Sequence, residues 1–310
     1  MASFSIISDS SCDLSSEQQK RFGLDGWIGS NVIFPDGHLE KVDSDWNNIT
    51  PEDYYGSMVD KKLLYKSATP GPEQIKEVFR TELEKGNDIL CIVLSSGMSS
   101  IYNYSCVVAR EMEKEYPDRI IRVIDSKRYS TAIAMACIYA NELRQQGKDV
   151  REAAELTEAY LERIHQSGWM DDLFYLARAG RLSKGTAFMG TMIGVKPIAD
   201  FNQKTGMFQV IGKARGVSRA YRAVVDYIRA TIEQPEQQIL FVSHSLRKEL
   251  AERLAGMIRD ELHPKELIIG SVGQSCGANI GPGLVAAFYY GKPLSDQLKE
   301  ETAILQNILK

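Results

Sequence analysis

The chain has 310 residues, 44% of them hydrophobic and 25% charged, with a formal net charge of -4. That composition fits a globular protein with room for one large or two ordinary α/β domains. The charge balance gives nucleic acid or anionic lipid no reason to bind, and no basic run contradicts it. Cys12, Cys91, Cys106, Cys137 and Cys276 are scattered, odd in number and never spaced C-x-x-C. This pattern argues for a reducing compartment and against a zinc or other metal site. No apolar run reaches the roughly 20 residues needed to span a bilayer, so stable membrane insertion is not expected. The opening "MASFSIISDSSCDLS" has no basic segment ahead of a long apolar core. It does not read as a signal peptide, and a cytoplasmic protein is expected.

In chain order, short apolar runs predict strands at "FSIIS", "ILCIVL", "IIRVID", "QILFVS" and "ELIIGSV", and "LVAAFYYG" suits a further buried strand. Helices are predicted between several of them. "EQIKEVFRTELEKG" is one. "SSIYNYSCVVAREMEKEY" places Ile101, Tyr104, Val108 and Met112 on one face. "TAIAMACIYANELRQQGKD" ends at a stop signal, Gly147, and "RKELAERLAGMIRDELHP" stops before Pro264. Strand-helix alternation predicts parallel sheets covered by helices. A boundary is expected at Ser167–Gly168, giving domains 1–167 and 168–310. Beyond it the texture turns to Gly and small residues, and "NQKTGMF" reads as a turn between strands.

Three apolar runs of the first half end in small polar groups: Asp9-Ser10-Ser11, Ser95-Ser96-Gly97 and Asp125-Ser126. If the strands are neighbours, these groups share the edge where open α/β sheets bind ligands. Ser and Asp at such places also cap the following helix, and both roles are open for them. A helix N-terminus with added hydroxyls suits a carboxylate or phosphate head. "SATPGP" is a second candidate wall. Its prolines and glycine are expected to hold the chain outside helix and strand, so that Ser67 and Thr69 face a ligand or cap the next helix. "GQSCGANIGPG" is expected as a glycine-permitted loop. Neither G-x-G-x-x-G nor G-x-x-x-x-G-K-[ST] occurs. Met189, Met192 and Ile193 offer flexible apolar bulk for a lipid slot or for core.

An enzyme reading also exists. Gly97-Met98-Ser99-Ser100-Ile101 is one residue short of the G-x-S-x-G elbow, and Ser99, Asp125 and His244 follow the hydrolase order. Against it, Ile101 replaces the second elbow glycine, and no His-Gly-Gly segment is present to form an oxyanion hole. A lipid or ester hydrolase and a binder of a non-lipid anion therefore stand beside the lipid-binding reading.

Taken together, the motifs resemble the DegV family of bacterial fatty-acid-binding proteins. "ISDSSCDL" resembles the family's D-S-[TS]-x-D-[LI], "KSATPGP" its K-[TS]-S-x-P-[ST] loop, and "LSSGMSSIYNYS" its S-S-x-L-S-G-T-Y segment. "VIDS", "LFYLARAGRLS", "GVKPI", "KARG", "FVSHS" and "GANIGPG" resemble later family motifs, so the similarity spans nearly the whole chain. It implies a parallel-sheet N-terminal α/β domain, a second α/β domain and a ligand tunnel between them for a long-chain fatty acid. It implies no cofactor and no catalysis by this chain, but presentation of the acyl carboxylate to a separate fatty-acid kinase. By position, Ser67 and Ser99 stand at carboxylate-binding residues, with Ser95, Ser96 and Gly97 forming the turn around Ser99. Arg181 and Arg215 stand at basic positions suited to partner contact. Asn279 and Ile280 stand where the family carries His and Thr in H-[TV]-G-P-G, Ser100-Ile101 replace Gly-Thr, and Ala179 replaces the first glycine of G-G-R. Asn279 can donate a neutral hydrogen bond but cannot carry the charge or proton of a histidine.

Overall fold

The structure, a computed structural model, describes residues 4–182 and 194–310. Met189, Met192 and Ile193 lie outside the described residues. The chain forms two compact units: residues 1–48, 65–161 and 273–276 make one, and 49–64, 162–272 and 277–310 the other. The expected division at Ser167–Gly168 falls inside a strand of the second unit. The chain passes between the units several times, so no single cut in the sequence divides them.

The first unit runs β1 (Phe4–Asp9), α1 (Ser16–Arg21), β2 (Gly26–Ile28), β3 (Asn31–Ile33), β4 (Leu39–Lys41) and β5 (Lys66–Ala68). It continues with α3 (Pro72–Leu83), β6 (Asp88–Val93), α4 (Ile101–Glu115), β7 (Ile121–Asp125), α5 (Thr131–Gln145) and α6 (Val150–Leu161). A parallel sheet has the order β2-β1-β6-β7. Every residue of β1 and β6 is buried, which is why these strands read as unbroken apolar runs. Ile7, Ile89, Cys91 and Val93 pack with Ile75 and Phe79 of α3 and with Val108 and Met112 of α4. α5 and α6 also pack on β6, and α5 is buried from Thr131 to Cys137, which accounts for its apolar residues on most sides. In α4, Ile101, Val108 and Met112 face the core as predicted, but Tyr104 is exposed and Ser105 is buried in its place. A small antiparallel sheet has the order β4-β3-β5. Ser67 therefore sits in a strand, opposite Val32, and not outside regular structure as "SATPGP" suggested.

The second unit holds α2 (Pro51–Gly56), β8 (Ile164–Trp169), α7 (Phe174–Ala179), β9 (Val195–Asn202), β10 (Met207–Arg215) and α8 (Val217–Thr231). β11 (Ile239–His244), α9 (Lys248–Leu262), β12 (Glu266–Ser271), β13 (Val285–Tyr290) and α11 (Lys299–Leu309) follow, and α10 (Gln274–Ile280) enters it from the first unit. Its six-stranded sheet has the order β10-β9-β8-β13-β11-β12. Among the described strands of this sheet, β11–β12 is the one parallel pair and the others are antiparallel. β9 and β10 form the hairpin signalled by "NQKTGMF", and β13 runs antiparallel to both of its neighbours.

One face of this sheet carries Trp169, Ile198, Val242, Val285 and Tyr289 against α8, α9 and α11. Some of the polar residues buried on that side are paired, whereas Ser167 Oγ and Trp169 Nε1 have no hydrogen-bond partner among the described residues. His165 Nδ1 meets Asp200 Oδ2 at 2.9 Å, and its Nε2 meets the Lys292 carbonyl at 3.0 Å. Both ring nitrogens thus face acceptors, Asp200 on one side and a backbone carbonyl on the other. Asp200 also accepts from the Gln166 and Phe201 amides and the Tyr227 hydroxyl.

The opposite face is different. Strand alternation brings Gly168, Ala286 and Ala199 into one cross-strand row, with Ser243 paired to Ala286. A second row on the same face contains Phe241 paired with Phe288 and Phe201 paired with Phe208. Gln166 joins the second row beside Phe288, and every residue of both rows is buried. Gly168 is required there: a Cβ on it would lie 2.2 Å from the Val285 carbonyl oxygen.

Candidate functional site

The strand ends at β1, β6 and β7 adjoin one another, as the three polar endings anticipated. Most of their polar groups hold the turns together. Asp9 accepts from the Ser11 amide and from the Leu94 amide just past β6, each at 2.7 Å. Burial pushes its carboxyl above the usual range despite those bonds. Ser10 Oγ meets Ser30 Oγ at 2.5 Å. Ser95 is fully buried: its Oγ accepts from the Gly97 amide at 3.2 Å, and its carbonyl accepts from Met98 and Ser99. Ser96 donates its amide to Asp125 Oδ1 at 3.0 Å, and its Oγ accepts from Lys127 Nζ at 2.9 Å. Lys127 also reaches Asp125 Oδ2 at 2.6 Å. Partial burial raises the Asp125 carboxyl, but Lys127 and Ser96 outweigh it and hold the group below the usual range.

Ser99 is placed differently. Its Oγ accepts from the Ile101 amide at 3.3 Å and lies 3.2 Å from Thr69 Oγ1, on the segment that follows β5. Thr69 is exposed and Ser99 half-buried. Of the two hydroxyl protons, one is used within the pair, and the other remains available to a third group whichever residue donates. The residue capping α4, Ser100, gives no side-chain bond to the first turn, whose amides lack intrahelical acceptors. The Ser99 hydroxyl thus stands at the amino end of a fifteen-residue helix, a position that favours an anion. Neither Ser67 nor Thr69 caps α3. That helix is capped by Gly71, whose amide donates to Gln74 Oε1 at 3.0 Å.

The expected glycine loop at residues 273–283 is instead α10 over Gln274–Ile280, followed by Gly281 and Gly283 at positive φ. Glycine is needed at 277 because a Cβ would lie 2.3 Å from the Tyr55 hydroxyl, and at 281 because it would lie 2.0 Å from the Tyr175 ring. The two tyrosines donate to the carbonyls of Val272 and Met58. No sequence motif flagged them, although the glycine spacing was the visible trace of their packing. Asn279 is half-buried and Ile280 buried, both in the second unit. Arg181 follows α7 and bonds back to the Ala179 carbonyl, and Arg215 is exposed at the end of β10.

The groups of the hydrolase alternative are engaged otherwise. Both Asp125 oxygens are held by Ser96 and Lys127. His244 Nδ1, the nitrogen a triad aspartate would hold, has no hydrogen-bond partner among the described residues.

No helix among the described residues is long and apolar enough to cross a membrane. The family model described as "Uncharacterised protein, DegV family" matches residues 3–292. A DegV domain-containing protein of Clostridium perfringens is 27% identical over 296 residues, 94% of this chain and 98% of its own length. The structure described as fatty acid binding of a DegV family protein from Thermus thermophilus superposes with a TM-score of 0.83 at 22% identity, covering 93% of this chain and 99% of that one. A structure from Eubacterium ventriosum, described as a stearic acid-binding protein, gives 0.79 at 24% identity, covering 93% and 98%. The chain belongs to the DegV family.

Proposed function

We propose that this protein binds a long-chain fatty acid, with the carboxylate held by Ser99, Thr69 and the amino end of α4. The observation that carries this reading is the Ser99–Thr69 pair at 3.2 Å, with one hydroxyl proton to spare. A carboxylate leaving bulk water needs such donors. Ser67, close by on β5, is a further head-group contact. Ser95, Ser96 and Gly97 act by fixing the turn. A long apolar tail contributes about 0.8 kcal/mol per buried methylene, so it supplies most of the gross affinity while the head fixes orientation. Asn279 and Ile280 contribute a neutral donor and apolar bulk in place of a histidine and a threonine. Two structural relatives described as binding fatty acid or stearic acid support the reading.

On this reading the chain is a carrier in lipid metabolism rather than an enzyme. It works in the cytoplasm and presents the carboxylate to a separate fatty-acid kinase, with Arg181 and Arg215 as contacts. Native and denaturing mass spectrometry of the freshly purified protein test the ligand. A released mass matching a long-chain acid is expected. A protein that arrives empty and fails to load stearic acid would contradict the reading.

A further inference from the structure

The Ser99 and Thr69 hydroxyls suit a carboxylate, but a hydroxyl also pairs with another hydroxyl. Taking an acid in preference to the alcohol of the same chain therefore calls for charge near the head. Two charged side chains bond to the turn that carries Ser99. Asp125 Oδ1 accepts from the Ser96 amide at 3.0 Å. Lys127 Nζ lies 2.6 Å from Asp125 Oδ2 and 2.9 Å from Ser96 Oγ. Ser96 and Ser99 belong to a single turn, closed by the Ser99 amide on the Ser95 carbonyl at 3.1 Å.

The place of Lys127 is fixed by its backbone. It has φ +49, uncommon for a residue that carries a side chain. Its amide donates to Asp125 Oδ1 at 3.2 Å, and its carbonyl accepts from Arg128 Nη1 at 2.9 Å. Arg128 is fully buried, and its Nη2 donates to the Leu161 carbonyl at 2.6 Å. The two side chains differ in their access to water. Asp125 keeps 13% of its side-chain surface exposed and Lys127 keeps 37%. Water therefore screens the Asp125 charge poorly, and Lys127 is the group that cancels it. An uncancelled carboxylate at this turn would repel an acid head and leave a neutral head unaffected.

We propose that Lys127 determines the preference for an acid over a neutral head group, by cancelling the charge of Asp125 beside the turn that carries Ser99. The inference rests on the assignment of Ser99 and Thr69 to the head group. Lys127 is a specificity residue that acts through charge. A role confined to holding the turn would affect acid and alcohol alike, because both use the same hydroxyls.

The test is native mass spectrometry of the full chain in competition between stearic acid and 1-octadecanol, which share one chain length. Lys127→Met should lower the ratio of bound acid to bound alcohol about tenfold, the scale of one unpaired charge across a turn. Lys127→Arg, which keeps the charge, should restore most of that loss. Asp125→Asn keeps an oxygen for the Ser96 and Lys127 amides but leaves Lys127 uncancelled, so it should shift the ratio toward the acid. The double change Asp125→Asn with Lys127→Met should return the ratio close to that of wild type. A ratio that is the same in wild type, Lys127→Met and Asp125→Asn would overturn the proposal, even where total binding falls. A wild-type protein that loads neither ligand would instead overturn the fatty-acid reading, and this inference with it.

Discussion

Ser99 Oγ and Thr69 Oγ1 lie 3.2 Å apart, although the two residues are thirty positions apart in the chain. They arrive from different elements, Thr69 from the segment after β5 and Ser99 from the turn that opens α4. Ser95 and Ser96 hold that turn in shape through Gly97, Asp125 and Lys127.

If these hydroxyls hold a carboxylate, removing either should weaken retention of stearic acid by about 1–3 kcal/mol, the range for a hydrogen bond to a charged group. Ser99→Ala and Thr69→Ala together should cost less than the sum of the two, because each hydroxyl orients the other. Competition binding on the two single variants and the double variant checks this. Full additivity would mean that the pair does not act as a unit.

The buried His165–Asp200 pair contributes to the stability of the second unit. Replacing His165 with Ala leaves Asp200 charged without its partner and should cost about 3–5 kcal/mol by urea denaturation. Burial raises the Asp200 carboxyl, but His165 and the amides of Gln166 and Phe201 hold it below 3.8. Its contribution is therefore present above pH 3.8 and is lost as pH falls through the lowered folded value. A loss under about 1 kcal/mol in the alanine variant would show that the pair is replaceable.

Asp13 behaves in the opposite sense. It accepts from Ser130 Oγ at 2.5 Å, but burial outweighs that bond and pushes the carboxyl from 3.8 up to about 7. The folded state binds this proton more tightly than the unfolded chain does. The associated stability is full below pH 3.8 and declines as pH rises through about 7. Asp13→Asn should flatten that decline in urea titrations between those pH values. A variant with the wild-type slope would assign the decline to other groups, Asp9 among them.

The parts of this fold legible in the sequence are those where one physical signal dominates. β1 and β6 are buried on both faces and read as apolar runs. α4 and α9 follow helical periodicity, and α9 stops at a left-handed residue just ahead of Pro264. β2 to β5 have three residues each, too few to show a period. β8 was hidden because His165, Gln166 and Ser167 are polar yet buried, and Asp200, 34 residues after Gln166, satisfies part of that polarity. α10 carries Gly277 and Asn279, poor helix formers, and is fixed by packing against Tyr55 that no local pattern reveals. In the site, the hydroxyl cluster was visible as a group. Which hydroxyl remains available depends on Lys127, Asp125 and Thr69, contacts that only the tertiary fold creates.

The most direct measurement is a ¹³C NMR pH titration of carboxyl-labelled stearic acid bound to the wild-type protein, Ser99→Ala and Thr69→Ala. Donors that favour the charged head hold its pKa below that of the free acid. The wild-type resonance should therefore stay constant through mildly acidic pH and move in both variants. A carboxyl signal that titrates like free acid, or that is identical in all three proteins, would contradict the assignment of the head-group site.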